Sequence, residues 1–279
     1  MSSYYLQDER FLPKEEVRIS PDDRGYYFGD GFYEVFRVYN GKLYEPEAHF
    51  ARLTRTSEGI RIPLPYGIEE LHAKLKELIA LNSLSEGTVY LQITRGSAPR
   101  AQPFPAPARP FLHAYTKPLE RPLAAMEAGI RAATVEDIRW LRCDYKTLNL
   151  LGNVLAKQQA LDAGAEEAIL HRSGSVTECS ASNVMIVKDG IIVTHPADNL
   201  ILHGVTRAVV LRLARAAELS VEERPFTVEE LREADEAFIT GTTVEITPVV
   251  SVDGRTIGSG SAGPVTRRLQ RDFAASIGQ

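Results

Sequence analysis

Two cysteines, Cys143 and Cys179, and a single tryptophan are all that 279 residues provide of those types. Two thiols cannot form a disulfide framework, so a reducing compartment, the cytoplasm, is expected. No run of 18 apolar residues occurs, which removes a membrane-spanning helix from consideration. The opening MSSYYLQDERFLPKEE lacks the basic head and apolar centre of a signal peptide. Basic charge is also short: 32 Lys and Arg against 37 Asp and Glu leave a net charge of -5, with no basic stripe. That argues against nucleic acid or an anionic membrane as a partner. His49, His72, His113, His171, His195 and His203 show no ligand spacing, so no metal is expected. What is present, 44% hydrophobic and 25% charged residues, is ordinary globular composition.

The length suits one large domain or two of about 120 to 150 residues, each with its own core. Asn-Gly and Asp-Gly in VYNGKLY (38–44), VKDGIIV (187–193) and VDGRTI (252–257) predict tight two-residue hairpins. Strand-like runs include GFYEVFRVY, TVYLQITRG, NVMIVK and EAFITG. Helical periodicity predicts helices over 45–60, 68–82, 149–164, 206–219, 227–234 and 264–277. Helices and antiparallel strands are mixed without regular alternation, so the expected class is α+β. The proline-rich stretch 98–111 reads as a long surface loop, and TKPLERPL (116–123) as a linker. The chain is therefore divided into 1–118 and 119–279.

Several residues could carry chemistry. Lys146 precedes the helical pattern. A helix starting near Thr147 to Asn149 would aim its dipole and free N–H groups at the amine and favour the neutral, nucleophilic form. Taken alone, it also fits a solvated lysine. Glu178 sits among small residues in SVTECSASNVMIV (175–187), either a buried partner for a cationic ligand group or an exposed strand residue. Gly204, Val205 and Thr206 open a helix, a place suited to a phosphate but also an ordinary helix start. The Gly-Thr-Thr turn in FITGTTVEITPV (238–249) could complete such a cradle. Arg52 is either a cation for that anion or half of a helix-face ion pair. Together, an amine, a carboxylate, an anion site and threonine hydroxyls are what pyridoxal 5′-phosphate needs.

DRGYYFGDGFYEV (23–35), RWLRCDYKTLNLLGNVLAKQ (139–158), TECSASNV (177–184), ILHGVTR (201–207) and TTVEITPV (242–249) closely resemble the bacterial D-amino acid aminotransferases. These are fold type IV pyridoxal phosphate enzymes with two domains. The resemblance runs over essentially the whole chain. It implies that Lys146 is the Schiff-base lysine and the base that shuttles the proton, and that Glu178 pairs with the pyridine nitrogen. It further implies that Arg52, Val205, Thr206 and Thr242 bind the phosphate and that Leu202 packs on the ring. Arg139 would lie near the cofactor's 3-oxygen, unless it is a surface arginine. Tyr33 and Arg100 would hold the substrate α-carboxylate. The Arg100 loop would be shared across a homodimer whose active site lies at the subunit interface.

One position departs from the family pattern. Gln102 stands two residues after Arg100, where members with similar loops carry a histidine, and a glutamine amide offers only a neutral hydrogen bond. The implied reaction moves an amino group from a D-amino acid such as D-alanine to 2-oxoglutarate or pyruvate in ping-pong fashion. The alternatives are a branched-chain L-amino acid aminotransferase, an aminodeoxychorismate lyase and a non-catalytic cofactor-binding protein.

Overall fold

The computed structural model describes residues 3–278. By packing, the chain divides into two units. The first runs to Glu120 and also takes in Tyr145–Asn149; the second comprises Arg121–Asp144 and the chain from Leu150 onward. The sequence places the division at 118/119 and assigns Lys146 to the second part. The pentapeptide that carries Lys146 instead packs with the first unit, although its flanks on both sides belong to the second.

The first unit contains β1 (Tyr4–Gln7), β2 (Arg10–Pro13), α1 (Arg24–Phe28), β3 (Gly31–Tyr39) and β4 (Lys42–Leu43). It continues with α2 (Pro46–Ile60), α3 (Ile68–Leu81), β5 (Gly87–Thr94) and β6 (Phe111–Pro118). The six strands form one antiparallel sheet in the order β2-β1-β6-β5-β3-β4. Asn40 and Gly41 both have positive φ, 49° and 74°, as a two-residue hairpin between twisted strands requires. The Asp-Gly pairs at 189–190 and 253–254 repeat that geometry.

Alternation along β3 decides what each face of this sheet does. Phe32, Phe36 and Val38 share a core with Phe50, Leu53, Leu71, Leu75 and Leu78 of α2 and α3. On the opposite face, Tyr33, Tyr90, Tyr115 and Tyr5 form a stacked row with centroids 5.5, 5.1 and 5.1 Å apart. Phe36 is fully buried, its ring 5.0 Å from that of Phe50. Phe36→Ala should therefore lower stability by about 3–5 kcal/mol, seen as a lower denaturant midpoint at unchanged slope. A loss below about 1 kcal/mol would place the core elsewhere.

The second unit contains α4 (Leu123–Ala128), β7 (Ile130–Glu136), α5 (Leu151–Asp162), β8 (Glu167–Arg172), β9 (Ser175–Cys179), β10 (Asn183–Lys188) and β11 (Ile191–Thr194). There follow α6 (Val205–Ala216), β12 (Val221–Glu223), α7 (Val228–Arg232), β13 (Glu236–Gly241), β14 (Glu245–Val252), β15 (Arg255–Thr256) and α8 (Pro264–Ser276). Its sheet runs β12-β11-β10-β13-β14-β7-β8-β9, with β15 on β14. Three pairs, β11–β12, β14–β7 and β7–β8, are parallel, and α5 is the crossover between the last two strands. Strands such as β10 are buried along nearly their whole length, so they read as continuous apolar runs rather than alternations. The class is α+β with mixed sheets. Among the described residues no helix is long and apolar enough to cross a membrane.

Candidate active site

Lys146 lies in an irregular segment between β7 and α5, outside any helix or strand. The helix predicted to open at Thr147 to Asn149 begins at Leu151, five residues downstream, so Lys146 is outside its first turn and the dipole argument falls away. What places the lysine is β3. The Tyr33 N–H donates to the Lys146 carbonyl at 3.0 Å, and the Leu148 N–H donates to the Gly31 carbonyl at 3.0 Å. On the other side, the Lys146 N–H donates to Oγ1 of buried Thr56 on α2 at 3.3 Å. One turn further along α2, Gly59 leaves room for the Tyr145 ring, where a β-carbon would stand 2.3 Å from Tyr145 Cζ. So fixed, Lys146 Nζ lies 4.3 Å from the centroid of the half-buried Tyr33 ring.

The same helix carries Arg52, which is only 6% exposed. Its Nε and Nη2 donate to the two oxygens of Glu34 at 3.0 and 2.6 Å, and His49 Nδ1 lies 3.0 Å from Glu34 Oε1. Burial pushes the Glu34 carboxyl up, but Arg52 and His49 outweigh it and hold the group well below the usual carboxylate range. Burial also lowers the His49 imidazole, which is therefore neutral and donates Nδ1–H to the carboxylate. Glu34 thus orients the Arg52 fork and offsets part of its charge. Sequence reasoning missed Glu34 and His49. The signal was available: parity along β3 sends Glu34 inward between Phe32 and Phe36, where a charge needs a buried partner.

Arg100 is exposed, with its guanidinium carbon 5.3 Å from the Phe28 ring centroid. Gln102 is also exposed, and its main-chain carbonyl, rather than its amide side chain, is the anchored group, accepting from Arg24 Nη2 at 3.2 Å.

In the second unit Glu178 is the penultimate residue of β9 and is buried. It accepts from Arg139 Nη1 at 2.6 Å, Asn183 Nδ2 at 3.0 Å and the Leu202 N–H at 3.0 Å. Burial dominates even so and pushes its pKa up to about 7. Arg139 is no surface arginine. Asp137 grips it at Nε and Nη2, both at 2.9 Å, and turns the remaining arm onto Glu178. Asn183, another residue sequence reasoning left without a role, also donates to the Leu202 carbonyl at 3.0 Å and so ties Glu178 to the approach to α6. No side chain caps α6 at Gly204, and its first residues are the buried Val205 and Thr206. Thr242 follows β13 in a turn beside Ser182, since a β-carbon on Gly241 would lie 3.5 Å from Ser182 Cβ. The Ser182 and Thr240 hydroxyls are buried without a hydrogen-bond partner. Cys143 and Cys179 are buried, and burial raises both thiols, Cys143 to about 11, so neither is a nucleophile at neutral pH.

The raised carboxyl has a measurable consequence. Glu178 binds its proton more tightly folded, at about 7, than at its ordinary 4.5. Its contribution to stability is complete below the lower value and is lost as pH rises through the upper one. The cofactor-free protein should lose several degrees of melting temperature between about pH 5 and about pH 8. Glu178→Gln should flatten that part of the profile. An equal slope in both proteins would show that Glu178 does not titrate there.

The model of the amino-transferase class IV family matches residues 31–252, a span that includes Lys146, Glu178 and the α6 start. The D-alanine aminotransferase of Staphylococcus haemolyticus is 48% identical over 274 residues, covering 98% of this chain and 97% of its own. Among solved structures, the branched-chain amino acid aminotransferase of Escherichia coli superposes with a TM-score of 0.95 at 28% identity, covering 99% of this chain and 95% of that one. The corresponding T.th. enzyme, solved with pyridoxamine 5′-phosphate, gives 0.94 at 27% identity, covering 100% and 95%. With its lysine segment, buried glutamate and open helix start in place, this chain belongs to the class IV aminotransferases, of fold type IV.

Proposed function

We propose that the chain is a pyridoxal phosphate-dependent D-amino acid transaminase that moves an amino group from a D-amino acid such as D-alanine to 2-oxoglutarate or pyruvate. The observation that carries the cofactor reading is Glu178: a fully buried carboxyl held by three donors yet raised to about 7 calls for one more cation, which a protonated pyridine nitrogen supplies. The partnerless Ser182 and Thr240 hydroxyls beside it fit a polar ligand. The D-amino acid branch rests on similarity, 48% identity to a D-alanine aminotransferase against 28% to a branched-chain one.

Bound pyridoxal phosphate supplies an electron-withdrawing ring that takes up the electron pair freed at the substrate Cα. The chain's own residues do the rest. Lys146 would hold the cofactor covalently until the substrate amine takes its place, and the freed Lys146 amine would then take the Cα proton and return it at the other end of the carbon–nitrogen bond. Glu178 keeps the ring nitrogen protonated, and Arg139 keeps Glu178 in place. The Val205 and Thr206 amides, the Thr206 and Thr242 hydroxyls and Arg52 bind the phosphate, and Leu202 backs the ring. Tyr33, Arg100 and Gln102 receive the α-carboxylate.

A second copy of the chain is the proposed partner. Leu151, Val154 and Leu155 are exposed at i, i+3 and i+4 of α5. Gly152 between them lies against Arg139, whose neighbours Ile138, Trp140 and Leu141 are exposed as well. A stripe of this size suits a dimer face, and a solution mass of twice the 30.9 kDa chain is expected. The two buried free thiols fit a reducing cytoplasm.

The branched-chain reading keeps one specific support, the TM-score of 0.95. Adding D-alanine and, separately, L-leucine to the yellow holoenzyme decides between them. Loss of the cofactor band with D-alanine alone is expected. Loss with L-leucine alone would move the chain to the branched-chain group.

A further inference from the structure

We propose that Arg24 is the positioning residue of the loop that bears Arg100 and Gln102: its buried guanidinium clamps the main chain at 101–103 and so sets where the carboxylate-binding groups stand. This rests on the reading of Arg100 as the α-carboxylate ligand.

Arg24 is 3% exposed and sits in the five-residue α1. Asp23 caps this helix by accepting from the Gly25 N–H at 2.7 Å and from Thr94 Oγ1 at 2.7 Å, which fastens α1 to the end of β5. From that base Arg24 Nη1 donates to the Ala101 carbonyl at 2.5 Å and the Pro103 carbonyl at 3.4 Å, while Nη2 donates to the Gln102 carbonyl at 3.2 Å. Its Nε donates to Asp30 at 2.7 Å. Arg95 shares that carboxylate at 2.8 and 3.0 Å and lies 3.6 Å over the Phe104 ring. On the near side of Arg100 the main chain is fastened as well, Arg24 N–H to the Gly96 carbonyl at 3.0 Å and Ala98 N–H to the Asp22 carbonyl at 3.2 Å. Arg100 is thus the exposed residue of a loop held on both sides.

Two features separate this from ordinary loop packing. Exposed loop carbonyls could be satisfied by water, yet here a guanidinium is taken out of water to bind three of them in succession, its desolvation offset by these carbonyls together with Asp30. Arg24 and Arg95 also share the single carboxylate of Asp30, which fixes the clamp from beneath the loop. Phe28 packs between Arg24 and Arg100, 4.8 and 5.3 Å from the two guanidinium carbons, so a shift of the clamp reaches Arg100 directly. A lysine could neutralise Asp30 but has no planar fork to span successive carbonyls.

The test compares two amines that react with the bound cofactor in the intact holoenzyme, aminooxyacetate, which carries a carboxylate, and methoxyamine, which does not. The readout is the ratio of their second-order rates of bleaching the cofactor band. In Arg24→Met and Arg24→Lys the ratio should fall about tenfold or more, with the methoxyamine rate unchanged. In turnover, KM for both amino and oxo acid should rise more than kcat falls. An unchanged ratio in either variant, or an equal fall in both rates, overturns the proposal. Arg100→Ala separates the two levels. If it lowers the ratio while Arg24→Met does not, only the clamp is wrong. If Arg100→Ala leaves the ratio intact, the carboxylate reading is wrong, and the clamp proposal goes with it.

Discussion

Lys146→Ala should lower transamination by at least about 10⁴-fold while the protein stays folded. In the proposed mechanism two roles converge on this one nitrogen, covalent attachment of the cofactor and transfer of the substrate proton, so no neighbour inherits both. Tyr33, the aromatic ring under Nζ at 4.3 Å, has no amine to offer. The fold should survive because the segment is held by its main chain. The Tyr33 amide donates to the Lys146 carbonyl, the Leu148 amide to the Gly31 carbonyl and the Lys146 N–H to Thr56, none of which involves the lysine side chain. The measurement is single-turnover loss of the cofactor band with D-alanine, alongside a melting curve. Exogenous methylamine should restore part of the proton-transfer rate without restoring covalent attachment. Turnover by the variant within tenfold of the parent would remove Lys146 from the mechanism.

Glu178→Gln carries the second largest effect. Glutamine fills the same space, but its single oxygen can accept from Asn183 and the Leu202 N–H or from Arg139, not from all three, and it cannot hold a negative charge against the ring nitrogen. A single preorganised electrostatic partner of this kind is worth about 10²–10³ in rate. The kcat should fall by that much, with cofactor affinity reduced far less, because the phosphate groups are untouched. Relative to the parent, the cofactor-free variant should gain stability as pH rises from about 5 to about 8, because it lacks the carboxyl whose ionisation costs the parent stability there, and Arg139 keeps Asp137 as its counter-ion. Rapid-mixing spectra and a cofactor titration separate the two effects. A variant that lost cofactor binding but reacted at the parental rate once saturated would make Glu178 an anchor rather than an electronic partner.

Much of this was legible in the one-dimensional chain, because it depends on local chemistry. Asn-Gly and Asp-Gly determine hairpins wherever they fall between β-formers, and all three formed. The apolar period of α2 and α3 states which face is covered, and an uncapped Gly204 before Val205 and Thr206 marks an open helix start. The class could be named in advance, and Lys146, Glu178 and the Gly204–Thr206 helix start could be singled out as candidates, each a residue type in a short pattern that taken alone also allows an ordinary reading.

Other features depend on which segments meet, and no local pattern encodes that. Lys146 reads as the residue just ahead of a helix starting near Thr147 to Asn149, but pairing with β3 competes successfully for residues 146–148 and the helix waits until Leu151. Arg139 reads either as a neighbour of the cofactor or as a surface arginine, and it is Asp137 and Arg172, brought together by β7 and β8, that turn it onto Glu178. Arg52 pairs with Glu34 only because α2 folds back across β3, and Arg24 reaches residues 101–103 across some 77 positions of sequence. Sequence alone determined the elements and the chemical inventory, whose preferences are set within a few residues. Tertiary structure decided which buried charges share partners, because desolvation forces each to find a counter-charge or a carbonyl, and only the folded chain determines which one is near.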